Sequence, residues 1–454
     1  MRIKQICCIG AGYVGGPTMA VIADKCPDIH VTVVDQNHER INAWNSQNLP
    51  IFEPGLDEIV QRCRSKNLCF ETDIDGAIAR ADCVFISVNT PTKTKGLGAG
   101  KASDLQFLEM SARRIATAAR GHTIVVEKST LPVRSAELIK EVLGALGDGK
   151  TFDVLSNPEF LAEGTAITDL LTPDRVLIGG ESGIAQDCLK EVYRKWVPEE
   201  KIITSNLWSS EMAKLASNAF LAQRISSINS LSAFCEVTGA DVLHVAEAIG
   251  RDSRIGNKFL KAGPGFGGSC FKKDILNLVY MCEQYGLYEV ASYWEHVVKI
   301  NDWQMNRISR AVTNKMFNTV SGKKIAILGF AFKKNTNDSR ESPAIKICQT
   351  LLDENAMISI YDPKVERENI LTEVCNNNCE KISNIDCTDC VYSALNDADC
   401  AIFVTDWDEF ENLDWDRISR TMRKPAWIFD TRRQINVDDV VKVGLRYWTV
   451  GRSE

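Results

Sequence analysis

A short apolar run from Lys4 to Ile9 breaks into Gly10-Ala11-Gly12-Tyr13-Val14-Gly15, and a helical stretch follows to about Lys25. Val31-Thr-Val-Val34 then reads as a second strand ending on Asp35, twenty residues after Gly15. A strand that turns straight into a helix and returns as a strand belongs to a right-handed βαβ unit in a parallel sheet. The glycines keep the turn tight, so that backbone N–H groups approach a pyrophosphate drawn to the helix N-terminus. A carboxylate at the second strand end accepts hydrogen bonds from a ribose 2′-OH and repels a 2′-phosphate. NAD is therefore favoured over NADP.

Further strand-and-turn units follow. Cys83-Val-Phe-Ile-Ser-Val88 runs into Asn89-Thr90-Pro91-Thr92, and Thr123-Ile-Val-Val-Glu127 into Lys128-Ser129-Thr130-Leu131-Pro132. Asp153-Val-Leu155 runs into Ser156-Asn-Pro-Glu159. Ligands of open α/β sheets bind beyond the carboxyl ends of the strands, so these polar ends outline one crevice. From about Ser209 to Phe317 the pattern changes to long helices. There Lys214, Asn218, Leu221 and Ile225 share one face by 4-3-4 spacing. A lysine and an asparagine on that apolar stripe point to chemistry; the alternative is a lysine snorkelling near a helix start. A second α/β unit begins at Lys323-Lys-Ile-Ala-Ile-Leu-Gly329, with strands at Ile358–Asp362, Ala401–Val404 and Trp427–Asp430. Its first turn reads Gly329-Phe-Ala-Phe332-Lys333-Lys334 in place of three spaced glycines. The expected fold is α/β, two Rossmann-like parallel-sheet domains joined by a central long-helix region. The expected boundaries are 1–208 (NAD-binding), 209–320 (helical, the oligomer contact) and 321–454 (a degenerate dinucleotide-type domain for another phosphate compound).

The chemistry centres on Gly263-Pro-Gly-Phe266-Gly267-Gly-Ser-Cys270-Phe-Lys-Lys273-Asp274. Ser269 is a good helix cap, and Asp274 lies one turn beyond Cys270. A thiol at the positive end of a helix, among lysines, ionises below its free pKa and acts as a nucleophile. A glycine-cradled thiol beside a dinucleotide fingerprint points to a dehydrogenase that forms a covalent adduct. The fingerprint alone would also suit a two-electron alcohol dehydrogenase or an inactive NAD-binding scaffold.

Composition excludes little. A net charge of -7 argues against nucleic acid as a main partner. The 16 cysteines lie mostly in apolar runs such as Ile6-Cys7-Cys8-Ile9, which predicts buried, reduced thiols in a cytoplasmic protein. No signal peptide and no membrane span are expected, and no metal is expected at the site. Cys375, Cys379, Cys387 and Cys390 have a spacing compatible with a four-cysteine zinc site, with a middle gap short for a zinc ribbon.

Several stretches in one order resemble the nucleotide-sugar dehydrogenase family that includes enzymes acting on UDP-glucose and GDP-mannose. They are Cys8–Pro17, Val88-Asn-Thr-Pro-Thr-Lys93, Asn157-Pro-Glu-Phe-Leu-Ala-Glu-Gly164, Ser217–Arg224, Arg254–Lys261 and Gly267-Gly-Ser-Cys270. The resemblance runs from Met1 to Trp448. It implies NAD-dependent four-electron oxidation of UDP-glucose to UDP-glucuronate through a thiohemiacetal and a thioester on Cys270. Other nucleotide sugars, GDP-mannose or a UDP-N-acetylhexosamine, remain alternatives. The resemblance implies that Lys214 acts as acid/base or as a clamp on developing oxyanions, with Asn218 as a second donor. Asp274 and Thr130 would position water, and Glu159 would assist proton transfer. Cofactor contacts are implied at Gly10 to Gly15, Asp35, Arg40, Val88 to Thr92, Ser129, Thr130, Leu131, Glu163, Lys273 and Arg340. Substrate contacts are implied at Glu159, Phe160, Leu161, Ala162, Glu163, Lys214, Asn218, Lys261, Phe266, Gly267, Phe332, Lys333 and Arg432. Arg254 would reach a neighbouring subunit's site, which implies a homo-oligomer, dimer or hexamer.

Overall fold

Apolar runs of three to six residues become strands buried on both faces, as parallel sheets require. A computed structural model of the chain describes residues 2–375 and 379–453. The chain divides into two units, one of Met1–Ser217 with Leu276–Gly286, the other of Asn218–Ile275 with Leu287–Glu454.

The first unit holds β1 (Gln5–Ile9), β2 (His30–Val34), β3 (Leu68–Glu71), β4 (Cys83–Ile86), β5 (His122–Glu127), β6 (Thr151–Ser156), β7 (Val176–Gly179) and β8 (Ile202–Ser205). Their order is β3-β2-β1-β4-β5-β6-β7-β8, with only the β6–β7 pair antiparallel. β1 pairs with β2 through Ile6↔Val31 and with β4 through Ile6↔Cys83. The strand order therefore reverses between β1 and β4, where the two polar turns lie. Alternation along β1 builds a core on each face. Ile6 and Cys8 join the side with Met19, Val31 and Trp44, while Cys7 and Ile9 join the side with Val84, Leu108 and Ile139. This explains the adjacent cysteines: each is a small apolar filler on its own face. Among the described residues the cysteines form no disulfide, and most of them are buried.

The second unit holds β9 (Lys324–Leu328), β10 (Met357–Tyr361), β11 (Ile385–Cys387), β12 (Cys400–Phe403), β13 (Trp427–Asp430) and β14 (Arg446–Thr449), all parallel, in the order β11-β10-β9-β12-β13-β14. The order reverses again, between β9 and β12. The helices Val242–Gly250 and Tyr288–Lys315 belong to this unit, and the long helix Leu207–Thr238 supplies residues to both. Among the described residues no helix is long and apolar enough to cross a membrane.

Candidate active site

In the first unit the glycine turn forms as its spacing predicts. Gly10 takes φ +108°, and a Cβ there would lie 2.2 Å from the Ser87 carbonyl oxygen. Only glycine permits that approach. Gly12 differs: an added Cβ would meet nothing within 4 Å, so the turn presents open backbone there. The helix Gly15–Lys25 starts without a side-chain cap and without an acidic residue in its first turn, so no side chain neutralises its positive end. Asp35 Oδ2 accepts from Ala11 N at 3.0 Å and from Arg40 Nη1 at 2.9 Å, and Oδ1 accepts from Asn37 N at 2.9 Å. The bond to Ala11 ties the end of β2 to the glycine turn. Tyr13 and Val14 are half-buried beside it. An open turn, an uncapped helix and a carboxylate at the strand end together fit a dinucleotide.

Two more strand ends are stitched together. Ser129 Oγ donates to Val88 O at 2.7 Å, and Thr90 Oγ1 donates to Thr130 O at 3.1 Å. Asn89 and Pro91 stay exposed, Thr92 is half-buried, and Leu131 packs into the core.

Lys214 is 4% exposed, and its Nζ lies 3.0 Å from Glu159 Oε1. It is an ion-paired interior lysine, which disposes of the snorkelling alternative. The other Glu159 oxygen accepts from Leu161 N at 3.0 Å. Phe160 offers its ring to Lys214 Nζ at 5.6 Å and to the Arg175 guanidinium at 3.8 Å. Ala162 N donates to Asp169, and Glu163 is half-buried in the same turn. Gly164 N donates to the buried Glu53 at 2.7 Å, which pins that turn.

In the second unit the glycine loop lies on an aromatic ring. Gly268 has φ +83°, and a Cβ there would sit 3.1 Å from the Phe332 ring; one at Gly267 would sit 2.5 Å from Glu341 O. Gly268 N donates to Arg340 O at 2.8 Å. The helix that follows is Phe271–Gln284, and its Asp274 N donates to Cys270 O at 2.9 Å. Cys270 is the residue immediately before that helix, and Ser269, expected to cap it, lies one position further out. Ser269 Oγ instead lies 3.5 Å from Cys270 Sγ. One turn on, Asp274 is 2% exposed and takes Asn218 Nδ2 at 2.6 Å and Lys273 Nζ at 3.3 Å.

Beyond β9 and β13 lie Phe332, Lys333 and Arg432. Lys333 Nζ stands 5.5 Å over the Phe332 ring. Arg432 donates to Val404 O at 2.6 Å and to Phe332 O at 3.2 Å. Burial pulls the Arg432 guanidinium below its usual value, and Asp406 and Asp430 raise it again. Lys261 Nζ is 3.7 Å from Asp406.

Models of one family match in sequence along the chain. The NAD binding domain of the UDP-glucose/GDP-mannose dehydrogenase family matches residues 4–197, its central domain 208–303 and its UDP binding domain 326–437. UDP-glucose 6-dehydrogenase 4 of Arabidopsis thaliana is 57% identical over 465 residues, spanning 99% of this chain and 97% of the relative. The chain belongs to the UDP-glucose/GDP-mannose dehydrogenase family. UDP-glucose 6-dehydrogenase 1 of Oryza sativa subsp. japonica is 54% identical over the same shares of both chains. A solved UDP-glucose dehydrogenase from the archaeon Pyrobaculum islandicum has a TM-score of 0.86 at 30% identity, covering 100% of this chain and 98% of that one. The family member described here is an NAD-dependent dehydrogenase.

The division into units places Lys273 and Arg340, expected as cofactor contacts, with Cys270 in the second unit. Arg340 forks onto Asp338 at 2.8 and 2.6 Å. Arg254 forks onto Asp252 at 3.0 and 2.7 Å with its side chain 87% exposed. The four-cysteine zinc reading falls partly outside the described residues, because the side chain of Cys379 is not among them. Among the described residues, no three His, Cys, Asp or Glu side chains gather to hold a metal.

Sequence reasoning did not single out several buried polar residues that pack against these segments. Lys128 Nζ is buried and donates to Asn157 Oδ1 at 3.0 Å and to Tyr193 OH at 3.4 Å. This ammonium is lowered to about 8, chiefly by burial and in smaller part by Lys214, against Glu159 and Cys8, which act to raise it. Asn229, Asn301 and Gln304 pin the glycine loop through Gly263 N, Phe266 N and Gly263 O, each at 2.8 Å. The last two carried a legible signal. Asn301 and Gln304 stand on the buried stripe of Tyr288–Lys315 with Val297, Met305 and Ile308.

Proposed function

We propose that this dehydrogenase oxidises the C6 hydroxymethyl group of a UDP-linked glucose to a carboxylate, in two hydride transfers, using Cys270 as a covalent anchor. The observation that carries the reading is the placement of Cys270. It immediately precedes a helix, one turn before a buried carboxylate that Asn218 and Lys273 already hold. A helix start favours the thiolate, the reactive form. The curated relatives, UDP-glucose 6-dehydrogenases from two plants, support the substrate.

The bound nicotinamide cofactor supplies the hydride acceptor, once for each oxidation. In the first oxidation a base takes the C6 hydroxyl proton as hydride leaves C6. The buried Lys214–Glu159 ion pair supports this role, with Lys214 acting as acid/base or as a clamp on the oxyanion. The aldehyde lacks a transferable hydride until a nucleophile adds. Cys270 Sγ forms a bond to C6, and the carbonyl oxygen takes a proton, giving a thiohemiacetal. Loss of that proton and of the C6 hydride leaves a thioester. Water, oriented by Asp274 and Thr130, then displaces the thiol and yields the acid. The sum is two hydrides transferred and one water consumed.

The uracil and diphosphate would be held by Phe332, Lys333, Arg432 and the stretch from Lys261 to Gly267. The cofactor would be held by the fingerprint turn, Asp35, Arg40 and the segments Val88–Thr92 and Ser129–Leu131. The enzyme works as a homo-oligomer in the cytoplasm, with Arg254 serving the partner's site. The exposed guanidinium of Arg254 and the bare Phe220, Phe234 and Val237 on one long helix support self-association. The test is stoichiometry: purified enzyme should form two NADH per UDP-glucose, with a substrate-derived thioester on the Cys270 peptide in quenched samples. One NADH with free aldehyde, or faster turnover of another nucleotide sugar, overturns the reading.

A further inference from the structure

A continuous line of hydrogen bonds in the second unit joins Gly451 to the glycine loop almost two hundred residues earlier. Gly451 N donates to Glu236 Oε1 at 2.7 Å, and Glu236 Oε2 takes Arg307 Nη1 at 2.5 Å. Arg307 Nε donates to Gln304 Oε1 at 3.1 Å, and its Nη2 donates to Ser232 Oγ at 3.1 Å. Gln304 Nε2 then donates to Gly263 O, while Asn229 Oδ1 accepts from Gly263 N, both at 2.8 Å. Gln304 and Asn229 are fully buried. The far end of this line is anchored separately. Val242 N donates to Gly451 O at 2.9 Å, and a Cβ on Gly451 would lie 2.2 Å from Val242 Cγ1. Arg433, adjacent to Arg432, donates to Val450 O at 3.3 Å and to Asp241 at 2.9 Å.

We propose that residues 449–452 and the Glu236–Arg307–Gln304 line form a positioning device that presets the glycine loop and so sets affinity for the nucleotide part of the substrate. The proposal rests on the reading above that this loop wraps a uridine diphosphate. The physical need is plain. A loop of glycine, proline and alanine has few side chains to hold its shape, and ordering it on binding would cost affinity. Fixing both peptide groups of Gly263 removes that cost beforehand. An arginine suits the junction because its planar fork serves Glu236, Gln304 and Ser232 at once, which a single ammonium does not. The second strand-end contact, Arg432, is braced from the same segment through Arg433.

The decisive variant is Arg307→Lys, which keeps a charge beside Glu236 but drops the fork. Gly451→Val, which drives the terminal segment off Val242, is the independent second variant. The readouts are UDP binding by calorimetry, KM for UDP-glucose and for NAD, and the thermal midpoint. UDP binding and KM for UDP-glucose should each weaken by about tenfold, the scale of one charge-assisted hydrogen bond. KM for NAD should stay within about twofold of wild type. Unchanged UDP affinity in both folded variants overturns the proposal. So does a parallel loss of NAD affinity, UDP affinity and thermal midpoint, which would mark the line as general scaffolding. Should wild type bind UDP yet fail to oxidise UDP-glucose, the proposed function falls while the calorimetric comparison still decides this point.

Discussion

Replacing Lys128 with methionine should make the first unit more stable at pH 7 and less stable at high pH. Lys128 is 4% exposed and faces Glu159, Cys8 and Lys214 as its charged or titratable neighbours. Its ammonium falls from the ordinary 10.5 to about 8, first because of burial. At about 1.4 kcal/mol per pH unit, the fold carries about 3 kcal/mol of penalty while that lysine is charged. The sign follows from proton counts. Below about 8 both folded and unfolded chains hold the proton, so the penalty is complete and constant. Between about 8 and 10.5 only the unfolded chain holds it, so stability rises with pH. Methionine removes the charge and the bonds to Asn157 and Tyr193, which are worth about 1 kcal/mol each. Asn157 Oδ1 keeps a donor, because Tyr193 OH reaches it at 2.6 Å. The net expectation is a gain of about 1 kcal/mol at pH 7 and a loss of about 2 kcal/mol above pH 10.5, where no charge penalty remains to be relieved. Urea unfolding of both proteins across that pH range, followed by tryptophan fluorescence, measures the difference directly. A difference that stays constant with pH, or a variant that is less stable at pH 7, refutes the reasoning. Turnover should also fall, since Asn157 leads directly into the turn that aims Glu159.

Cys270→Ser should retain NAD binding but lose sustained turnover by at least about a thousandfold, because a hydroxyl is a poorer nucleophile and leaving group; near-normal NADH production would exclude the thiol route. Asp35→Ser should raise kcat/KM for NADP by about tenfold and lower it for NAD, since it frees Arg40 from the 2.9 Å pair and removes the repulsion of a 2′-phosphate; steady-state kinetics with both cofactors decide this. Gly268→Ala forces a side chain into φ +83° against the Phe332 ring at 3.1 Å. That strain costs about 1–2 kcal/mol, and calorimetry should show weakened UDP binding with NAD affinity retained.

The parts of the site legible in the sequence were those where residue type and spacing answer one local demand. The fingerprint turn is such a case: Gly10 is needed for a positive φ against Ser87, and Gly12 for an open backbone. Lys214 and Asn218 were legible because polar residues on an apolar helical stripe demand partners. The partners themselves were not equally visible. Asp274 lay one turn from Cys270 and could be read, but Lys128 looked like an ordinary turn residue after a strand. Its buried setting comes from Asn157 and Tyr193, which are 29 and 65 residues away.

Periodicity, glycine spacing and strand-end acids act within about one turn or one strand pair, so the chain's own order determined two switch-point sheets, a dinucleotide turn and a cysteine at a helix start. Charge burial, the pinning of the glycine loop by Asn229, Asn301 and Gln304, and the line from Gly451 to Gly263 were decided by folding alone. Those contacts join segments far apart in sequence, and their strength depends on the exclusion of water that only a closed tertiary structure provides.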